Sequence, residues 1–262
     1  HAIGGRYQAE PVGSCRYSDI TVFSFHPVKI ITTAEGGMAV TNNPTFAEKM
    51  RLLRSHGITR DFSKEHGAWS VEQRAQSLER DSGSALPANS SQLPAPSYYY
   101  EQIDLGYNYR LTELQAALGL SQLERLDEFV ARRHELAKRY DRLLADLPLI
   151  TPWQHPDTCS AWHLYVIRLQ LVETGPTRRQ VFEYLREKGI GVNVHYIPVH
   201  TQPYYQAQST ERQAPSALHH AQSPGMYPEA EKYYQEAISL PLFPAMTEEE
   251  QDRVVEAIKA VV

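Results

Sequence analysis

Long hydrophobic runs are missing from this sequence: no apolar stretch reaches the length needed to cross a bilayer, and no signal peptide is visible. Cysteine is scarce. Cys15 and Cys159 make neither a disulfide framework nor a metal-ligand spacing, which fits a reducing, cytoplasmic setting. Excess positive charge is lacking as well. A net charge of -5 and a pI near 6.1 give no electrostatic case for nucleic acid or an anionic membrane. An initiating methionine is also absent, so the chain is expected to be processed or incomplete, with incompleteness the preferred reading. What remains is a 262-residue chain with enough apolar content for one large domain or two smaller ones.

The chemistry concentrates in Phe23-Ser24-Phe25-His26-Pro27-Val28-Lys29, followed by Glu35-Gly36-Gly37. Ile20 to Phe23 is β-branched and aromatic and reads as a buried strand. Pro27 disfavours helix at His26. The paired glycines allow a sharp turn, and Met38 to Thr41 reads as the returning strand. This unit holds one amine, Lys29, at a strand end. Such a place suits a lysine that forms a Schiff base, and spacing alone suits a loop lysine beside a hairpin equally well.

Further along, Asn43 and Pro44 give a cap and first position for a helix carrying Phe46, Ala47, Met50 and Leu53, ended by Gly57. Thr112 and Glu113 open a long helix or a helix pair. Its apolar stripe runs through Leu111, Leu114 and Leu118, then Leu123, Leu126 and Phe129, continuing to Leu147. The second half alternates strand 163–171, helix 177–188 and strand 190–196, with a last helix from Thr247 whose capping partner is Glu250. Segments 62–97 and 206–227 are polar and irregular and read as insertions. The histidines of the second half lie on Pro-broken or irregular stretches, and no metal site is expected.

The run SFHPVKIITTAEGGMAVTNN resembles the cofactor-lysine segment of the DegT/DnrJ/EryC/StrS sugar-nucleotide aminotransferases. RSHGITRD, YYYEQIDLGYNYRLTELQAALGLSQLERL, GIGVNVHYIPVHTQPYY and AISLPLFP extend the likeness along nearly the whole chain. Within that family the likeness is strongest to the pseudaminic-acid branch. It implies an α/β fold: the C-terminal portion of a type I pyridoxal-phosphate transferase, with residues 1–125 belonging to the large domain and 126–262 forming the small one.

The resemblance implies pyridoxal 5'-phosphate as cofactor, bound covalently by Lys29, with Ser24 on its phosphate and His1 on its ring hydroxyl. Asn108, with Arg110 as a second contact, is implied to reach the cofactor phosphate of the neighbouring subunit in a homodimer. His195, Tyr196, His200 and Tyr204 match the segment at the sugar-nucleotide site. The implied reaction moves an amino group, with glutamate as donor, to C4 of a UDP-linked 4-keto-6-deoxy-N-acetyl-hexosamine. Lysine at position 29 favours transamination over the dehydratase relatives, which carry histidine there. An aminoarabinose- or perosamine-type keto-sugar is the alternative within the family. The alternative outside enzymology is a cofactor-free fragment that serves dimerisation, because the family's pyridine-nitrogen aspartate, three residues before the position of His1, is not in this sequence.

Overall fold

The computed structural model describes residues 1–60, 100–206 and 225–262. The irregular segment 62–97 and most of 206–227 therefore lie outside the described residues. The described elements in chain order are β1 (Arg6–Tyr7), β2 (Glu10–Pro11), β3 (Thr21–Ser24), β4 (Gly37–Val40), α1 (Pro44–Leu53), β5 (Ile58–Thr59) and β6 (Glu101–Gln102). Then follow α2 (Glu113–Leu123), α3 (Leu126–Leu143), β7 (Leu149–Ile150), β8 (Thr158–Cys159), β9 (Tyr165–Leu169), α4 (Arg178–Glu187), α5 (Pro228–Glu236), β10 (Ala237–Leu240) and α6 (Glu248–Lys259). The chain divides into two units. One comprises His1–Ser14, Val22–Met38 and Gln115–Val262; the other comprises Cys15–Thr21 and Ala39–Leu114.

The first unit is built on an antiparallel sheet in the order β10-β9-β7. The central strand β9 alternates, with Tyr165, Ile167 and Leu169 buried, as a strand covered on one face must. β10 is buried at all four positions. Ser239 is buried with its apolar neighbours, so the strand's burial carries no alternation, and neither it nor α5 is anticipated by periodicity. Helices α3, α4 and α6 cover the sheet with Leu136, Tyr140, Val181, Leu185, Val255 and Ile258, all essentially inaccessible. Each such aliphatic side chain contributes about 1.5–3 kcal/mol on burial. The two buried tyrosines keep their hydroxyls satisfied: Tyr140 donates to the Pro241 carbonyl at 3.0 Å, and Tyr165 donates to Asp141 Oδ1 at 2.6 Å.

Both expected capping boxes form. Thr177 with Gln180 opens α4, and Thr247 with Glu250 opens α6. The expected helix pair is likewise present as α2 and α3, interrupted at Glu124 and Arg125. The expected strand 190–196 does not form. Asn193 and Ser239 exchange one pair of backbone bonds, at 3.2 and 2.8 Å, and no ladder extends from it. Ser239 then turns its hydroxyl to His195 Nδ1 at 2.7 Å, so a side chain takes over where the next backbone pair would begin.

In the second unit, Asn43 caps α1 by accepting from the backbone N–H groups of Thr45 at 2.9 Å and Phe46 at 3.3 Å. Gly57 follows the helix at φ +70°. A Cβ there would stand 1.9 Å from the Asp104 carbonyl oxygen, so only glycine fits. Two runs that carry the family resemblance pair here. His56 N–H donates to the Tyr107 carbonyl at 2.8 Å, and Tyr109 N–H donates to that of Arg54 at 2.9 Å. Asn108 bridges Ser55 between them.

Candidate active site

Lys29 lies on the loop joining β3 and β4. Phe25, Ile30, Ile31 and Thr33 are buried beneath it. The loop is closed by its own backbone: Phe25 N–H donates to Gly36 at 2.9 Å, Thr33 N–H to Phe25 at 3.0 Å, and Lys29 N–H to His26 at 2.9 Å. Thr32 adds a hydroxyl bond to the Phe25 carbonyl at 2.9 Å. Helix α2 braces the same loop with three residues at helical spacing. Gln115 Nε2 donates to the Glu35 carbonyl at 2.9 Å, Gln122 Oε1 accepts from Thr32 N–H at 2.9 Å, and Gly119 leaves room for the Thr33 methyl. The face of α2 that packs is thus polar and small. Its leucines, expected from their stripe to be the covered side, are exposed, and the helix buries no residue.

Three imidazoles gather on this unit. The His1 ring stacks on His163 at 4.9 Å with an interplanar angle of 15°. The charge on Lys29 reaches both His163 and His195. Desolvation, then Lys29, Arg133 and further cationic neighbours, push the His163 pKa down to about 4. Desolvation and Lys29 lower that of His195. Both rings are therefore neutral at pH 7 and serve as hydrogen-bonding groups. His163 Nδ1 is buried and has no hydrogen-bond partner among the described residues. The sequence singled out His163 only as the start of a strand, because nothing in Trp162-His163 distinguishes a site residue from a core histidine.

Among the described residues no carboxylate pairs with Lys29. The lysine lines a cleft of about 820 Å³ together with Gln122, Phe129, Arg133 and Phe243. Arg133 is buried without an acid beside it, and burial pulls its pKa down to about 10. Its Nη1 instead donates to the carbonyls of Trp162 at 3.0 Å and Leu242 at 2.8 Å, tying α3 to the segments that flank β9 and β10.

The other expected site residues fall in three places. Ser24 ends β3, half-buried. Asn108 and Arg110 belong to the second unit and are exposed there. In the 195–204 segment, Tyr196 and Tyr204 are exposed, whereas His200 Nε2 meets Glu231 Oε1 at 2.8 Å and its ring lies 4.8 Å from Tyr227. Glu231, held below the usual carboxylate range by that bond and by Gly225 N–H, anchors the segment to α5.

A pyridoxal-phosphate cofactor fits this donor set. An amine without a carboxylate partner and an unpartnered buried imidazole nitrogen share one electrostatic neighbourhood. Fold and site together define a mixed α/β protein of the sugar-aminotransferase kind. The chain belongs to the DegT/DnrJ/EryC1/StrS aminotransferase family, whose model matches residues 1–259. It is 37% identical to the spore coat polysaccharide biosynthesis protein SpsC of Bacillus subtilis over 264 residues, covering 100% of this chain and 58% of that protein. Among solved structures it resembles Helicobacter pylori PseC, an aminotransferase involved in the biosynthesis of pseudoaminic acid, with 32% identity and a TM-score of 0.73 over 99% of this chain and 57% of that one. It also resembles Spr1654 of Streptococcus pneumoniae, described as a sugar aminotransferase and solved in a PMP form, with 28% identity and a TM-score of 0.74 over 99% and 55%. The chain spans a little over half the length of the relatives it matches.

Proposed function

We propose that this protein acts as a cytoplasmic, pyridoxal-phosphate-dependent sugar-nucleotide aminotransferase. It moves an amino group from glutamate to C4 of a UDP-linked 4-keto-6-deoxy-N-acetyl-hexosamine, on a route of the pseudaminic-acid kind. The observation that carries this reading is Lys29: an amine on a loop braced from within and by α2, with no carboxylate partner among the described residues and with neutral imidazoles in reach of its charge. The family supports aminotransfer, and the likeness to PseC supports a route of the pseudaminic-acid kind.

In this reading Lys29 Nζ would hold the cofactor, and the same amine would take up and return protons as general base and acid. The cofactor supplies the electron sink that makes those carbon-bound protons removable. His1 hydrogen-bonds the ring hydroxyl, and Ser24 donates to the phosphate. Asn108 and Arg110 contribute to the phosphate of a second copy in a homodimer. His195 and Tyr196 meet the sugar nucleotide. His200, bonded to Glu231, orders the segment that carries them, and Tyr204 adds a ring. Among the described residues no helix is long and apolar enough to cross a membrane.

Titration of the chain with pyridoxal phosphate tests the reading. The expected outcome is an absorbance band near the edge of the visible range, absent in Lys29→Ala, with borohydride trapping placing the label on Lys29. A label on another lysine removes this assignment, and no band at all favours a dimerisation module.

A further inference from the structure

We propose that Cys159 is a thiol-modification site: His134 takes its proton, Arg6 draws in an anionic low-molecular-weight disulfide, and a mixed disulfide forms on Sγ. The proposal is independent of the aminotransferase reading above. It rests on three side chains that are distant in sequence and that the fold brings together.

Cys159 ends β8 and is exposed, and its Sγ stands 3.6 Å from Nε2 of His134 on α3. The imidazole is held in place by the buried Trp162 ring, which it meets edge-on at 6.4 Å and 84°. Desolvation first, and then the charge of Lys138 one turn along the helix, push its pKa down against an opposing contact with the Ser160 backbone. The ring is therefore neutral at pH 7 and able to accept a proton. A sulfur must shed its proton before it attacks a disulfide, and a base within hydrogen-bond reach provides for that.

Strand register supplies the charge. Arg6 on β1 is the direct antiparallel partner of Cys159, and directly opposed residues share one face of a sheet. Arg6 Nη1 donates to the Ala9 carbonyl at 3.0 Å, which tethers the guanidinium on that face. Arg6 and Cys159 both line a groove of about 440 Å³, and among the described residues no aspartate or glutamate lines it. That volume lies within the range of roughly 300–1,000 Å³ typical of small-molecule sites. A cation beside the thiol and no acid around it select a disulfide that carries carboxylates.

The step balances. With the ring proton on Nδ1, His134 Nε2 accepts the thiol proton as Sγ bonds to one sulfur of the disulfide. The S–S bond of the reagent breaks, and the departing sulfur recovers the proton from the imidazole. One disulfide is consumed and one is formed, no separate oxidant is needed, and His134 ends neutral as it began. Cys15, the other cysteine of the chain, is half-buried and lacks such a base. Its Sγ donates to the Val40 carbonyl at 3.2 Å and lies 3.6 Å from Thr21 Oγ1, and neither oxygen takes up a proton at neutral pH.

Incubation of the full chain with oxidised glutathione, followed by peptide mapping over time, tests the proposal. Cys159 is expected to acquire the adduct at least tenfold faster than Cys15. Its rate is expected to fall as the imidazole protonates, with a midpoint below the ordinary histidine value of 6.5. His134→Gln is expected to lose at least tenfold in that rate and to lose the midpoint, which separates a base from a merely structural histidine. Arg6→Gln is expected to slow oxidised glutathione several-fold and to leave the cationic disulfide cystamine little affected. Equal rates at the two cysteines overturn the proposal, as does a His134→Gln chain with the parent's rate and midpoint. An Arg6→Gln effect of the same size on both disulfides overturns the anionic ligand class. Should His134→Gln fail to fold, the parent chain still decides: a Cys159 rate without an inflection below pH 6.5 overturns the role of the imidazole.

Discussion

His163 shows how a few ångströms convert an ordinary side chain into a neutral fixture. Its pKa is pushed down to about 4, first by desolvation and then by Lys29, Arg133 and other cationic neighbours. In the unfolded chain the ring titrates near 6.5, so between those values the unfolded state holds more protons than the folded one. Stability is therefore unaffected by this group above pH 6.5 and falls as the pH drops from 6.5 towards 4. Long-range proton–nitrogen NMR of the ring is expected to show a midpoint near 4, displaced upward in Lys29→Ala. A midpoint near 6.5 in the parent chain would show that the ring is neither desolvated nor in reach of the Lys29 charge, whereas an unchanged midpoint in Lys29→Ala would remove the lysine's share alone. None of this is legible in the sequence, because desolvation and a cation 134 positions away are products of the fold. The loop that carries Lys29 was legible, since Pro27 and the Gly36-Gly37 pair favour turns on either side of it, and it lies between β3 and β4 as expected.

At the scale of elements, local chemistry was readable and burial less so. The two capping boxes could be placed from sequence because both partners lie within four residues. Thr247→Ala removes the hydroxyl that accepts from Glu250 N–H at 3.1 Å and is expected to cost about 1 kcal/mol. A urea series on the variant reads that as a lower midpoint with an unchanged slope, and an unchanged midpoint would mean the cap is idle in solution. The boundaries of β3 show the opposite case. Phe23 is 8% exposed and Val22 72%, so a run that looked uniformly buried has one wet face. The segment before His195 also looked like a strand, but register with β10 survives for a single pair. Periodicity reports what a segment favours, and a neighbour decides how many of its backbone groups are met.

For the whole molecule, α2 sets the main question. Its inward face is Gln115, Gly119 and Gln122, against the lysine loop, which leaves Leu114, Leu118, Leu120 and Leu123 at 85, 40, 64 and 46% exposure. A helix that spends its polar residues on its own chain and turns leucines outward has an apolar face to cover. The homodimer proposed above supplies that cover and brings the exposed Asn108 and Arg110 to a second copy. Sedimentation velocity is expected to show a dimer for the parent chain. Leu120→Glu, which puts a charge on the exposed face and leaves the Gln115, Gly119 and Gln122 contacts in place, is expected to shift it to monomer with circular dichroism unchanged. A desolvated carboxylate in such an interface carries a penalty of several kcal/mol, enough to lower association by more than a hundredfold. A parent chain that sediments as a monomer at tens of micromolar, or a variant that remains dimeric, would rule out this helix as the dimer contact and return Asn108 to a role within its own subunit.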